Sequence, residues 1–481
     1  MAMGKNKKKI LWIGGGVVLA FVVLALLVLL FGARVLKPRI EAAASKALKM
    51  DVHVQGRTTL SFFPAVGASV ADVTVKSGGT DVATIANVTI GLKLLPLMTG
   101  QVRISRLKVI KPVVSIVRQK DGTPTIEVPI GKPSGKRLTL AELSISQGSL
   151  VFADLRSGGK TEWEGVDITV KDLSAGGTPG ADPLKTLSLT GEVRCQAIKT
   201  GSFTLTDIEI KAVGDNGVCD ISPAGKQIFG GTGSGTLHAD FTGTEPHYSL
   251  IFAISRLKIE QLLQASPNSK NTEGLAELSG ELTARGKTAV EVKRSLSGQV
   301  SLTGENIMLH GMDMDDLISA LLKSRRFNLV DVGAFFLAGP LGPALTRGYR
   351  FADLFKESQG GKGVIAKLVS VWKFENGVAE AVDVAMATKK RRIAMKGGVN
   401  LVDNRFEEAV VAVLDEHGCS VLSQKIHGSF SQPEISSIAV LRSLTSPVTN
   451  LVKSVGKLFS NKPCEVFYSG SVPHPEPQKL P

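Results

Sequence analysis

Aromatic side chains are scarce in this 481-residue chain: they make up 5% of it, with 3 Trp and 3 Tyr. Sugar sites and base-stacking platforms are built on aromatic faces, so the composition argues against both. Cysteine is scarcer still. Four in so long a chain exclude a disulfide framework of the small secreted kind. Recognisable catalytic chemistry is also missing. Gly-Lys-Thr occurs at Gly159–Thr161 and at Gly286–Thr288, but a phosphate-binding loop needs a glycine five residues earlier, where Asp154 and Glu281 stand. Both tripeptides read as turns between strands. The seven histidines are scattered, with no His-x-x-x-His pair and no Cys-x-x-Cys, so no zinc site is legible. No Gly-x-Ser-x-Gly elbow is present. Asp315 and Asp316 are adjacent, and on a helix adjacent residues point in different directions. The sequence therefore predicts no enzyme, no metal and no cofactor.

What is present is aliphatic and basic. The chain is 43% hydrophobic, and 57 Lys plus Arg against 43 Asp plus Glu give a net charge of +14. Residues 10–33 form an uncharged apolar run. At about 1.5 Å per residue such a run crosses a hydrocarbon core of roughly 30 Å. It exceeds the 7–15 apolar residues or so of a cleavable signal peptide and reads as an uncleaved anchor. Lys5, Lys7, Lys8 and Lys9 precede it, which favours a cytoplasmic tail (residues 1–9) and an exported remainder. That topology excludes nucleic acid as a partner. The remaining charge either faces headgroups, with Arg34, Lys37 and Arg39 beside the anchor as candidates, or serves solubility.

Residues 34–50 carry Ile40, Ala44, Ala47 and Leu48 at helical spacing, which predicts a short amphipathic helix at the membrane exit. From about Asp51 the period becomes two, as in Val102/Ile104, Phe203/Leu205 and Leu250/Phe252/Ile254. Such strands bury one face and wet the other. A short unit of glycine followed by two alternating apolar residues starts at Gly100, Gly148, Gly191, Gly235, Gly280, Gly298 and Gly397. It predicts a repeated strand start after a turn or bulge. Residues 51–296 read as one β-region and 297–433 as a second, with helices inserted over 313–357. In that insert, Asp313–Lys323 has helical spacing, and Val332–Leu345 is either a buried core segment or one that touches lipid. Residues 434–460 predict an amphipathic helix bent at Pro447, and residues 461–481 a tail. The basic run Lys389, Lys390, Arg391 and Arg392 reads as a hairpin tip or a headgroup contact. Cys195 with Cys219, and Cys419 with Cys464, are possible disulfides whose connectivity the sequence leaves open.

Three stretches resemble the AsmA family of bacterial envelope proteins. They are Leu36–Val75 after the anchor; Ile85–Gly122, with its Leu94–Leu97 (LLPL), Gly100–Val102 (GQV) and Lys111-Pro112; and the carboxy-terminal LSGQVSLTGENIMLHGMDMDDLISALL, VWKFENGVAEAVDVAM and Lys396–Leu401 (KGGVNL). The resemblance implies a mainly β protein with some α: an inner-membrane anchor and an elongated, curved antiparallel sheet forming an apolar groove, with helices near both ends. It implies movement of phospholipid from the inner membrane, or help in outer-membrane assembly. The alternation alone gives Val102, Ile104, Leu107, Val109, Phe203, Leu205, Leu250, Phe252 and Ile254 as groove candidates. Their face is covered either by acyl chains or from within. The second functional expectation is an assembly factor that binds outer-membrane or other periplasmic proteins at sheet edges.

Overall fold

The structure is a computed structural model that describes residues 37–38, 40–46, 48–61, 66–93, 104–126, 137–156, 158–177, 182–200, 203–262, 272–311, 313–316, 318–319, 361–430, 432–436, 439–440 and 464–475. The anchor run 10–33, Arg34, Arg39, Val102, the segment Val332–Leu345 and the helical stripe from Leu441 onward lie outside the described residues. Among the described residues, no helix is long and apolar enough to cross a membrane. The chain divides into two compact units: Met1–Gly201 with Asp207–Val218, and Ser202–Thr206 with Cys219–Pro481.

The expected mainly β architecture is what forms. Unit 1 contains β1 (Asp51–Val54), β2 (Thr58–Ser61), β3 (Gly67–Ser77), β4 (Thr80–Leu92), β5 (Ile104–Arg118), β6 (Leu138–Asp154), β7 (Gly159–Ala175), β8 (Ser188–Thr200) and most of β9 (Phe203–Asp215). Both β1 and β2 pair with β3, and the ladder then runs β3-β4-β5-β6-β7-β8. One step departs from the antiparallel expectation: β5 and β6 run parallel. A parallel pair needs a crossover of about a dozen residues or more, and residues 119–137 supply it. Single residues with positive φ interrupt the strands at Asp72, Lys111, Gln147, Asp172 and Asp207. Left-handed residues inside strands bend and twist the sheet where they occur.

The amino-terminal helical residues 40–46 close one end of unit 1. Ile40 and Ala44 pack on the cluster of Val52, Val54, Val70, Val73, Val75 and Val82. Glu41 Oε1 accepts the Val54 N–H at 2.7 Å and Ser45 Oγ accepts the Val52 N–H at 2.9 Å. Ile40 and Ala44 of the predicted stripe are thus spent on the sheet, whereas Leu48 is exposed and Ala47 lies outside the described residues.

Unit 2 contains β10 (Val218–Ile228), β11 (Gly231–Asp240), β12 (His247–Lys258), β13 (Thr272–Arg285), β14 (Ser297–His310), β15 (Lys362–Glu375), β16 (Val378–Ala387), β17 (Arg392–Asn400), β18 (Arg405–Leu414), β19 (Ser420–Ser429), β20 (Gln432–Ile435) and β21 (Ala439–Val440). From β11 to β19 each strand pairs antiparallel with the next, and β20 and β21 both pair with β19. Helices α1 (Ile259–Leu262) and α2 (Ala289–Ser295) sit between strands. Thr288 caps α2 reciprocally with Glu291, so the second Gly-Lys-Thr is a helix start. Its helix escapes the sequence reading, although Thr-x-x-Glu was there to be seen.

Strands β15 to β18 are buried on both faces over Leu368–Ser370, Val384–Ala387, Arg392–Met395 and Val411–Leu414. Inside lie Trp372, Phe374, Met386, Ile393, Val399 and Val411, joined by Met314 and Ile318 from the start of the predicted insert helix. Asp315, between those two, is also buried. Its carboxylate accepts the Thr388 hydroxyl proton at 2.5 Å, and burial pushes its pKa above the ordinary aspartate value. On the other face lie Val369, Ala385, Ala387, Ala394, Ala412 and Leu414, covered by Tyr468 and Val472. The segment expected as a tail is therefore packed over residues 464–475. A disulfide joins Cys419 to Cys464 with 6.1 Å between Cα atoms. Cys195 and Cys219 are free and buried, not bridged. The Cys195 thiol lies within hydrogen-bond reach of the Glu164 and Ala197 carbonyls of its own sheet, and burial raises both thiol pKa values. Such thiols are unreactive.

Because the raised Asp315 pKa means that the folded chain takes up this proton before the unfolded chain does, Asp315 favours folding more as pH falls from neutrality towards its unfolded value. Asp315→Asn keeps the acceptor and removes the buried charge. Urea midpoints measured at pH 7.5 and 5.5 should be higher for the variant at pH 7.5, with the gap narrowing at pH 5.5.

Candidate functional site: an uncovered apolar sheet face

Register in unit 1 sorts side chains by chemistry across six strands. Val70, Val88, Val109, Ile145, Ile168 and Val193 stand opposite one another from β3 to β8. A second row on the same face runs Ala68, Ile90, Leu107, Leu143, Val170 and Gly191. Between them, on the opposite face, runs Ser69, Thr89, Lys108, Ser144, Thr169 and Glu192. The period of two in every strand produces this division, and the continuous register carries it across the sheet.

The apolar rows are not buried as a core would be. Apart from Val70, every apolar side chain in them is only partly buried, in the same range as Ser144 and Thr169 on the polar face. Among the described residues, the amino-terminal helical residues reach β4 through the cluster that holds Val82, and a short 3₁₀ turn (Pro183–Thr186) contacts β7. A sheet face of this composition ordinarily packs against a second layer. Six strands at about 4.8 Å make each row roughly 24 Å long. A single leaflet's acyl chains occupy about half of a roughly 30 Å hydrocarbon core, so the row is long enough to lay one down.

In unit 2 the corresponding row is Leu237, Leu250, Leu282, Gly298, Phe374, Ala379, Val399 and Phe406. It begins half-buried at Leu237, Leu250 and Leu282 and becomes core from Phe374 onward. The beginning of this face is shaped by glycine. Phe252 stands opposite Gly235 on one side and Gly280 on the other. A Cβ on Gly280 would lie 2.7 Å from the Phe252 ring, so the ring rests where a side chain would otherwise stand. Of the repeated glycine units, Gly298 stands at the start of β14 and register shifts mark a bulge at Gly148 and Gly397, whereas Gly191, Gly235 and Gly280 lie inside strands, which corrects the expectation for those three.

The predicted groove residues divide accordingly. Leu107 and Val109 lie in the two apolar rows of unit 1. Ile104 pairs with Leu92 beyond a register shift and is 45% exposed. Leu250, Phe252 and Ile254 share the apolar face of unit 2, where Phe252 and Ile254 border the core. Leu205 is half-buried on β9, while the side chain of Phe203 lies outside the described residues. Alternation missed Val88, Ile145, Ile168 and Val193, although each sits in an alternating run. What it lacked was the pairing that aligns those runs.

Of the headgroup candidates, Lys37 is half-buried, and Lys389 and Lys390 are exposed in the turn between β16 and β17. Arg391 is half-buried. Arg392 is withdrawn from any headgroup role by its burial: its guanidinium donates to the Val472 and Asp415 carbonyls at 3.2 and 3.3 Å and lies over the Tyr468 ring. Among the described residues no three His, Cys, Asp or Glu side chains gather as a metal site would require.

These observations define a mainly β chain whose sheet has an aliphatic face and a polar reverse, and the family follows from comparison. The chain belongs to the AsmA family, whose model matches residues 3–182 and 191–336. No curated protein and no solved structure matches it.

Gly280→Val would drive a branched side chain into the Phe252 ring. Overpacking of this kind costs about 1–3 kcal/mol, and the companion Phe252→Ala should recover part of the loss in a double-mutant cycle read by urea denaturation.

Proposed function

We propose that this protein binds phospholipid by its acyl chains along the apolar face of unit 1 and moves it within the bacterial envelope towards the outer membrane. In this reading residues 10–33 anchor the chain in the inner membrane, residues 1–9 are cytoplasmic and the bulk is periplasmic. Membership of the AsmA family supports the envelope setting, and the Cys419–Cys464 bridge suits an oxidising compartment. The observation that carries the proposal is the pair of aliphatic rows left half-exposed from β4 to β8.

The physics of the site is simple. An aliphatic face in water is unfavourable by about 25 cal/mol per Å² of apolar surface, and each acyl methylene buried against it gains roughly 0.8 kcal/mol. The rows contain no ring to stack and no hydrogen-bonding group to read. They recognise chain length and flexibility but not headgroup, as a carrier of several lipid species requires. The one thiol on this face near the rows, Cys195, is buried and its pKa is raised by that burial.

The test uses the one-residue alternation. The full-length protein, purified in mild detergent, should carry phospholipid detectable by mass spectrometry of the extracted lipid. Ile145→Glu should lower the amount per protein at least tenfold, and Ser144→Glu, one residue away on the polar face, should leave it within twofold. Equal losses from both variants, or no phospholipid in the wild type, would contradict the reading.

A further inference from the structure

Residues 464–475 cross the outer face of β15 to β18 as an extended segment, and the sheet is prepared for it. The floor is a row of small side chains, Val369, Ala385, Ala394 and Ala412, set opposite one another by register. Such a floor admits a backbone closely. Tyr468 and Val472 fill it and are both buried.

Polar groups from the same face fix the segment's direction. Asp383 accepts the Tyr468 hydroxyl proton at 2.5 Å and the Ser471 N–H at 3.1 Å. The Tyr468 oxygen in turn accepts the Val472 N–H at 3.1 Å. Arg392 donates to the Val472 carbonyl and Lys367 to the Ser471 carbonyl, at 3.2 and 3.3 Å. Lys396 lies over the Phe467 ring. At the segment's start, the Phe467 and Tyr468 N–H groups both donate to the Gly418 carbonyl, at 2.8 and 3.1 Å. Gly418 has φ +82°, and a Cβ there would meet the Tyr468 carbonyl at 2.3 Å, so only glycine lets the two backbones approach. The bridge from Cys419 to Cys464 closes beside this contact. Cys419 is buried, whereas Cys464 is exposed.

We propose that residues 464–475 are a strap whose seating is set by the redox state of Cys419–Cys464, with a dithiol as the releasing reagent. A dithiol thiolate attacks the exposed Cys464 sulfur, a new S–S bond forms, and the Cys419 sulfur leaves as a thiolate. The second thiol of the reagent then attacks the mixed disulfide, closes the reagent's own disulfide and frees Cys464. Two electrons pass from the dithiol to the bridge, and its two protons end on the sulfurs of Cys419 and Cys464. The strap buries two of its side chains, and its backbone must be ordered to do so. While the bridge is closed, its first residue is held at the site and seating is a local event. Once the bridge opens, the strap's first residue is no longer tied to Cys419, and the effective concentration of the strap at its site falls. Release uncovers the alanine row and leaves the inner-face core of unit 2 in place.

Hydrogen–deuterium exchange on the full chain in detergent micelles tests this, with alkylation of Cys419 and Cys464 reporting the bridge. In the oxidised protein, peptides covering 466–473 should exchange slowly. After treatment with dithiothreitol they should exchange at least tenfold faster, and peptides from β14 and β15 should be unchanged. Cys464→Ser should reproduce this without reductant. Unchanged exchange in 466–473 in the reduced and the variant proteins would overturn the proposal, because seating would then not depend on the bridge. So would a parallel loss of protection in β14 and β15, because the bridge would then hold the fold and not a strap.

Discussion

An aliphatic sheet face has to be covered, and everything in this protein follows from how each unit meets that requirement. In unit 2 the protein covers it with its own residues: Met314 and Ile318 join Trp372 and Phe374 inside, and Tyr468 and Val472 close the outside. In unit 1 the valines beside the amino-terminal helical residues are covered in the same way. Beyond them, the rows through Val109 and Leu107 continue across four more strands with no such cover among the described residues. The contrast lies within one chain and one kind of strand. It supports the proposal that the uncovered rows are kept for a ligand.

The polar reverse of unit 1 matters as much as its apolar face. Ser69, Thr89, Lys108, Ser144, Thr169 and Glu192 keep one side wetted, so the sheet exposes a single sticky surface. Surfaces of that kind mark binding sites in soluble domains. The proposed lipid binding would give up selectivity for capacity, since aliphatic rows fit any acyl chain of suitable length.

Much of the architecture was legible in the sequence because the period of two is local. Leu107 and Val109, or Phe252 and Ile254, declare their shared face without any knowledge of neighbours. Pairing is not local, and there the reading stopped. The alternation carries no sign of the parallel step from β5 to β6, nor of Gly280 as the residue that leaves room for Phe252, its register partner on the neighbouring strand. The burial of Arg392 was hidden for the same reason: a basic run reads as solvated until the segment that covers it is known. That segment did leave a trace. Tyr468 is one of only three tyrosines, and with Phe467 it follows closely on the disulfide cysteine Cys464 in a stretch otherwise rich in Pro and Ser.

The most direct measurement of the central claim is photocrosslinking in intact cells, with a benzophenone amino acid placed singly at Val109 or at its chain neighbour Lys108. The two positions differ by one residue and by one sheet face. Phospholipid adducts at Val109 with none at Lys108 are the result this account predicts. Equal adducts at both positions, or protein adducts alone at Val109, would contradict it.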